Sequence, residues 1–299
     1  MNLIKPKKLQ KGDTIAIIAT SGDVDIKKIN KAKTYIESLG YKVKLGSNIK
    51  KKEFYLAGND KERLKDLHEA FLDDEVKAII CARGGYGSIR IINDINYKII
   101  KDNPKIICGY SDISALLTMI TKNTGLVTFL GPMAQPDFGV DEIDKYTLNS
   151  LLNALTKGDI TIEPITNNTV NSKTCEGVLF GGNLTTICSL CGQDFVPDTN
   201  FIFIAEDLNE PTYKIDRCFT QLFNINQFKN NIRAIIIGEF LDIDNKEAFI
   251  YMLENLSKKY NFPIFMTYPI SHNKTKATVP IGAVARIEKE TIKIANFTA

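Results

Sequence analysis

The chain has 299 residues, 44% of them hydrophobic and 24% charged, with a formal net charge of +3. That length accommodates two domains of ordinary size, and the near balance of charge leaves no electrostatic footprint for nucleic acid. No run approaches the roughly 18 to 20 apolar residues that cross a bilayer, no apolar segment turns Lys5, Lys7, Lys8 and Lys11 into a signal peptide, and six cysteines are too few for a disulfide scaffold, so a cytoplasmic protein acting on small molecules is expected.

Residues 14–20, TIAIIAT, form a β-rich apolar run, followed by Ser21, Gly22 and a helical pattern through Ile29, Ala32, Tyr35, Ile36 and Leu39. Gly40 ends that helix, residues 41–45 make a second strand, and Asp60 opens a helix carrying Leu64, Leu67, Ala70 and Phe71. Residues 76–82 make a third strand, RGGYG at 83–87 a glycine-rich turn, and a helix is expected from Ser88 towards Asp94. Strands alternating with helices imply an α/β domain with a parallel sheet, whose ligands bind beyond the carboxyl ends of its strands.

The stretch at 105–117, KIICGYSDISALL, organises this half. Ile106, Ile107 and Cys108 are the apolar run of a buried strand, Gly109 marks a sharp turn, and Leu116, Leu117 and Ile120 recur at the spacing of one helical face. Ser111 stands at the apex, where the free N–H groups and positive dipole end of a helix would stabilise an oxyanion. The nucleophile elbow of hydrolases reads G-x-S-x-G, and here Ile113 replaces the second glycine. The competing reading makes Ser111 or Asp112 simply the N-cap of the helix. RGGYG lacks the spacing of a dinucleotide fingerprint or a P-loop. Its glycines suit an oxyanion-hole loop beside Ser111, with a plain tight turn as the alternative.

Residues 127–130 form another strand, and Gly131, Pro132, Pro136 and Gly139 then interrupt regular structure. The first domain is placed at 1–140, a linker at 141–174 containing a helix over 141–156 and a polar loop at 167–173, and a second domain at 175–299. Strands are expected at 177–180, 201–205, 233–238 and 262–266, and two last strands at 282–288 and 291–296 pair through a turn. Cys188 and Cys191 form a C-x-x-C, but the second pair of a zinc site is missing and the surrounding LTTICSL reads as a buried helix. The cysteines are accordingly expected to be reduced residues of the core.

A serine nucleophile needs a base and an acid that orients it. The chain holds two histidines. His68 falls within a helical pattern, whereas His272 lies in the polar loop YPISHNKTKATVPIG, from which a side chain can enter a cleft. For the acid, FIFIAEDLNE places Glu206 and Asp207 at the carboxyl end of an apolar strand, pointing opposite ways if the strand continues. Glu210 is a third candidate, and all three could merely serve the helix that follows.

Taken together and in order, LAGND at 56–60, ARGGYG at 82–87, GYSD at 109–112, GGNL at 181–184, IAED at 204–207, YKIDR at 213–217 and PIGAVARI at 280–287 resemble the LD-carboxypeptidase family. These are muramoyltetrapeptide carboxypeptidases, and the family includes the microcin C immunity peptidases. The resemblance spans nearly the whole chain. It implies a serine peptidase with Ser111 as nucleophile, Glu206 as acid and His272 as base, needing neither metal nor cofactor. It also implies an amidotransferase-like N-terminal domain, a smaller C-terminal domain with a swivelling β-barrel-like architecture, a site between them, and a homodimer. In that scheme the backbone N–H groups of Asp112 and Gly85 face the oxyanion, and Arg83 and Asn183 are candidate substrate contacts.

The activity so implied is release of the terminal D-alanine from murein tetrapeptides in peptidoglycan recycling, without nucleic-acid or membrane partners. Two alternatives stand beside it. One is an immunity-type peptidase acting on peptide–nucleotide conjugates, although its aromatic clamp can include tryptophan and this chain has none. The other is a noncatalytic two-domain ligand-binding protein, which predicts no assembled triad and more often carries an export signal.

Overall fold

Apolar β-branched runs alternate with amphipathic helices through the first half of the chain, and such alternation lays strands side by side in parallel. In the computed structural model, which describes residues 3–299, Thr14–Ile18 (β1), Lys42–Leu45 (β2), Val76–Cys81 (β3), Ile106–Gly109 (β4) and Thr128–Leu130 (β5) pair in parallel, in the spatial order β5, β4, β3, β1, β2. The order reverses direction between β1 and β3, so the turns following those two strands flank the crevice in which sheets of this kind bind ligands. The connecting helices start where the caps permit. Asp25 accepts the Lys27 N–H at the head of the Ile26–Ser38 helix, and Asn59 and Glu62 form a reciprocal capping box for Asp60–Leu72.

Some expectations are corrected here. The helix expected from Ser88 towards Asp94 is a single turn, Ser88–Ile91, and a second short helix, Tyr97–Asp102, starts where the Asn96 side chain accepts the N–H groups of Lys98 and Ile99. The proline- and glycine-containing stretch after β5 is not irregular throughout, since Ala134–Phe138 forms a π-helical turn closed by the Gly139 N–H on the Ala134 carbonyl at 2.8 Å. Residues 141–174 hold the helix Lys145–Thr156 together with two strands, Ile160–Ile162 (β6) and Thr169–Val170 (β7).

The second sheet continues with Cys175–Asn183 (β8), Phe201–Leu208 (β9), Ile232–Leu241 (β10) and Ile264–Phe265 (β11), which are parallel neighbours. The chain then returns to the first sheet, where Val279–Ile281 (β12) pairs antiparallel with β5. It ends in the expected antiparallel pair Val284–Glu288 (β13) and Thr291–Ile294 (β14). The eight strands of the second sheet run β6, β14, β13, β8, β9, β10, β11, β7, with β6 and β7 as open edges, so this sheet does not close into a barrel. The first sheet is likewise mixed, because β12 adds an antiparallel edge to five parallel strands. Since β11 belongs to one sheet and β12 to the other, the residues between them cross from one sheet to the other.

Two cores follow from the two-residue period of β9. Ile202 and Ile204 face a core shared with the first sheet, while Phe201, Phe203 and Ala205 face a second core with Phe180, Phe219 and Phe228. The first sheet also carries one fully buried charge. Arg63, with no exposed surface, donates from Nη1 to the carbonyls of Thr20 at 2.7 Å and Gly87 at 2.8 Å, and pairs through Nη2 with Asp60. One guanidinium thereby ties the end of β1 to the end of the RGGYG loop. Arg63→Met leaves the buried Thr20 carbonyl without its donor and the Gly87 carbonyl with the Arg90 N–H alone, and equilibrium denaturation is expected to register a loss of about 2 kcal/mol; an unchanged midpoint would contradict this role.

Candidate active site

Ser111 sits between β4 and the Ile113–Thr124 helix with φ of 62°, a left-handed backbone that side-chain-bearing residues rarely adopt. The turn is tight because a Cβ on Gly109 would lie 2.8 Å from Ile113 Cγ2, so only glycine fits beneath the helix entry. Asp112 occupies the N-cap position, yet its carboxylate does not cap the helix. Its Oδ2 accepts instead from Ser21 Oγ at 2.5 Å and from the Ser88 N–H at 2.8 Å, and the Ser21 and Ser88 hydroxyls lie 2.9 Å apart. A single buried carboxylate therefore joins the turns after β1, β3 and β4. The capping expected of Ser111 or Asp112 gives way to this longer-range network.

The RGGYG loop lies against the serine, and the contact is made by Gly84. A Cβ built on Gly84 would stand 2.9 Å from Ser111 Cβ, 3.1 Å from its Oγ and 3.5 Å from the Asp112 nitrogen. Gly85, singled out in the sequence, is exposed with φ of 117°, and the only atoms within 3.7 Å of a Cβ there belong to Gly22. Among the described residues, neither the Gly85 nor the Asp112 backbone N–H donates to a backbone or side-chain acceptor. Arg83 is half-buried, its Nη1 donates to the Asp23 carbonyl at 3.0 Å, and a Cβ on Gly22 would lie 3.4 Å from its Nε.

The same period that divides the two cores separates the acids of β9. Glu206 continues the Ile202–Ile204 face, is 1% exposed, and its Oε2 lies 2.7 Å from His272 Nδ1. Asp207 falls on the opposite face, where it accepts from Asn183 Nδ2 at 2.9 Å, the Thr185 N–H at 2.9 Å and the Leu208 N–H at 3.0 Å. Asn183, a candidate substrate contact in the sequence, is buried, with its amide divided between Asp207 and the N–H of Thr186 at the start of the Leu184–Cys188 helix. Glu210 lies apart from His272, in ion-pair reach of Lys214. His68 accepts the Asn96 N–H at 3.0 Å.

His272 rides on the segment that crosses between the sheets. Its ring meets Tyr110, the neighbour of Ser111, edge to face with centroids 5.0 Å apart. The same tyrosine ring carries the Lys276 ammonium 4.9 Å from its centroid, and Lys276 forms a buried ion pair with Asp137. Burial raises the Glu206 carboxyl above its ordinary pKa, opposed by the His272 contact. Burial raises Asp137 also, opposed by Lys276. Tyr110, Asp137, His272 and Lys276 line one side of a recess of about 420 Å³. Lys276, Asp137 and Tyr110 escape sequence reading, although Lys276 lies in the polar loop already singled out for His272. Among the described residues no group of three or more His, Cys, Asp or Glu side chains is arranged to hold a metal ion, and no helix is long and apolar enough to cross a membrane.

Profiles of the LD-carboxypeptidase N-terminal and C-terminal domains match residues 15–131 and 176–287. The chain belongs to the LD-carboxypeptidase family. It is thus a carboxypeptidase. It is 41% identical, over 94% of its length and 90% of the relative's, to a probable murein peptide carboxypeptidase of Bacillus subtilis strain 168. Among solved structures it superposes on the microcin C7 self-immunity protein MccF without ligand, with a TM-score of 0.90 and 26% identity over 99% of this chain and 100% of that one. A muramoyltetrapeptide carboxypeptidase from Oxalobacter formigenes matches with a TM-score of 0.88 and 28% identity, covering 96% and 100%.

Two outcomes follow from this geometry. Gly84→Ala forces a methyl against Ser111 Cβ and Oγ, so kcat should fall about 10²-fold in the folded variant; a folded variant turning over at the parental rate would remove Gly84 from the site. Glu206→Gln tests the buried carboxylate. A carboxyl whose folded pKa lies above its unfolded value destabilises the fold at every pH above the folded value, and that cost disappears as pH falls to the unfolded value, about 4.3. Glu206→Gln should therefore melt higher than the parent at pH 8, and the difference should shrink towards pH 4.5; a difference independent of pH would show that the charge carries no such cost.

Proposed function

We propose that this carboxypeptidase is a serine enzyme in which Ser111 attacks, His272 takes its proton and Glu206 orients His272. The carrying observation is the 2.7 Å contact from His272 Nδ1 to Glu206, which leaves Nε2 without a protein partner beside Tyr110 and the serine turn. With the Nδ1 hydrogen donated to Glu206, Nε2 is the acceptor that a serine proton requires. The free N–H groups of Asp112 and Gly85 are the donors proposed for the oxyanion. Arg83 is the proposed fork for the terminal carboxylate, through the guanidinium hydrogens that Asp23 leaves free. Attack forms an acyl ester on Ser111 and expels the terminal amino acid, whose nitrogen receives the proton from His272; water then releases the acyl group by the same route. No metal or cofactor enters these steps.

The substrate proposed is a murein tetrapeptide that loses its terminal D-alanine, processed in the cytoplasm by a homodimer during peptidoglycan recycling. The names of the Bacillus subtilis and Oxalobacter formigenes relatives support that choice. A second reading, hydrolysis of a peptide–nucleotide conjugate as by an immunity peptidase, draws on one feature of the RGGYG loop. Tyr86 follows Gly85, is 45% exposed, and its ring stands 6.0 Å from the exposed Tyr55, a pair on which a base could stack in the absence of tryptophan.

Comparing kcat/KM for tetrapeptides ending in D-alanine or L-alanine and for an aspartyl–nucleotide conjugate separates the readings. The D-alanine peptide should be fastest, and the L-alanine peptide should fall far behind because its methyl and carboxylate exchange places in the pocket. Ser111→Ala should lose on the order of 10³-fold or more on every substrate. Preference for the conjugate overturns the choice of substrate, and near-parental turnover by Ser111→Ala overturns the nucleophile.

A further inference from the structure

The C-x-x-C that the sequence assigns to the core is joined in the fold by a third thiol. Cys188 ends the Leu184–Cys188 helix, Cys191 follows in the next turn, and Cys218 comes from the adjoining helix Thr212–Phe223. Cys188 Sγ donates to the Cys218 carbonyl oxygen at 3.7 Å, which sets the two cysteines against each other across the two helices. Cys188 and Cys218 are each 7% exposed, Cys191 is half-buried, and all three are free. They open onto a surface recess of about 660 Å³ that also presents Glu210, Lys214 and Arg217. None of the three belongs to the site proposed for hydrolysis.

We propose that Cys218 and Cys188 are a peroxide-oxidisable dithiol that closes into a disulfide between the two helices. The neighbouring Cys188 thiol lowers the Cys218 thiol below its ordinary pKa, against burial and the charges of Asp207 and Glu210 and with Arg217 acting in the same direction, which favours the nucleophilic thiolate. The Cys218 thiol beside it and burial raise Cys188, which keeps it the protonated thiol of the two. The Cys218 thiolate attacks hydrogen peroxide, breaking the O–O bond, forming a sulfenic acid and releasing hydroxide. Cys188, losing its proton to that hydroxide, displaces the sulfenic oxygen as a second hydroxide, which is protonated to water. The net change is two thiols and one peroxide to one disulfide and two waters. A reduced dithiol returns the pair to the free form.

The bond would fasten the Leu184–Cys188 helix, whose Asn183 cap and Thr185 N–H hold Asp207, to the helix carrying Cys218. Cys81 and Cys108, fully buried in the first sheet, lie outside this chemistry.

The full-length protein is treated, folded, with hydrogen peroxide, then denatured, alkylated and mapped by mass spectrometry. The expected result is loss of two of its six free thiols, a linked pair of peptides containing Cys188 and Cys218, a melting temperature several degrees higher, and full reversal by dithiothreitol. Cys188→Ser, which keeps the size of the side chain, should instead leave a Cys218 sulfenic acid trapped by dimedone, with no cross-link. A cross-link between Cys188 and Cys191, oxidation of Cys191 alone, or six unchanged thiols overturns the proposal, as does a dimedone adduct absent from Cys218 in folded Cys188→Ser.

Discussion

The arrangement depends on a carboxylate held out of water at the end of a strand. Glu206 is 1% exposed, and an ionised carboxyl in that position is costly unless something positively polarised meets it. What meets it is His272, from a segment with little regular structure of its own, so that segment must be fixed by other means. Lys276 is paired with buried Asp137, and the Lys276 N–H and the Lys274 carbonyl are both bonded to Thr147 Oγ1, at 2.9 and 3.0 Å. Asp137 belongs to the π-helical turn and Thr147 to the helix after it. The crossing from β11 to β12 is thus fastened to elements in contact with the first sheet, and His272 is held there as a consequence.

The serine side is held in a different way. A left-handed Ser111 costs on the order of 1 kcal/mol and persists only where its surroundings over-determine it. They do so through Asp112, whose carboxylate binds two other strand-end turns, and through the Gly131 N–H on the Gly109 carbonyl at 3.1 Å. Backbone strain on one side and desolvation on the other are both localised where the two sheets meet. The rest of the molecule, two apolar cores with paired or capped polar groups, is of the ordinary kind that can sustain them.

Much of this was legible because period and position are properties of the chain. Alternation along FIFIAEDL assigns Glu206 and Asp207 to opposite faces, and the apolar run before Gly109 with helical spacing after it places Ser111 at a turn. The resemblance then chose among the acids, which local pattern alone left open. What the sequence did not disclose is long-range. The edge strands β6 and β7 are three and two residues long, too short to show a period, and β12 pairs with a strand about 150 residues earlier. Arg63 looks like one more charge on an amphipathic helix until Thr20 and Gly87 are brought to it. Asn183 shows the converse: a polar residue in the string GGNL, singled out as a substrate contact, that the fold uses to hold Asp207 and cap a helix.

Four buried carboxylates lie within this region, and what distinguishes them is the completeness of their bonding. Asp112 takes Ser21 and Ser88, Asp137 takes Lys276 and the Met133 N–H, and Asp207 takes Asn183, Thr185 and Leu208; none of the three leaves a buried oxygen without a donor. Glu206 does leave one, Oε1, and its partner His272 leaves Nε2. A carboxylate with no buried oxygen left unpaired is a fixture, because moving a proton near it would break contacts already made. The pair with capacity to spare on both members is the one that can accept a proton at Nε2 and stabilise the resulting charge without disturbing its own geometry. Stability alone would favour filling those two positions, and their lacking protein partners near a strained serine turn is what sets the proposed site apart from the structural networks around it.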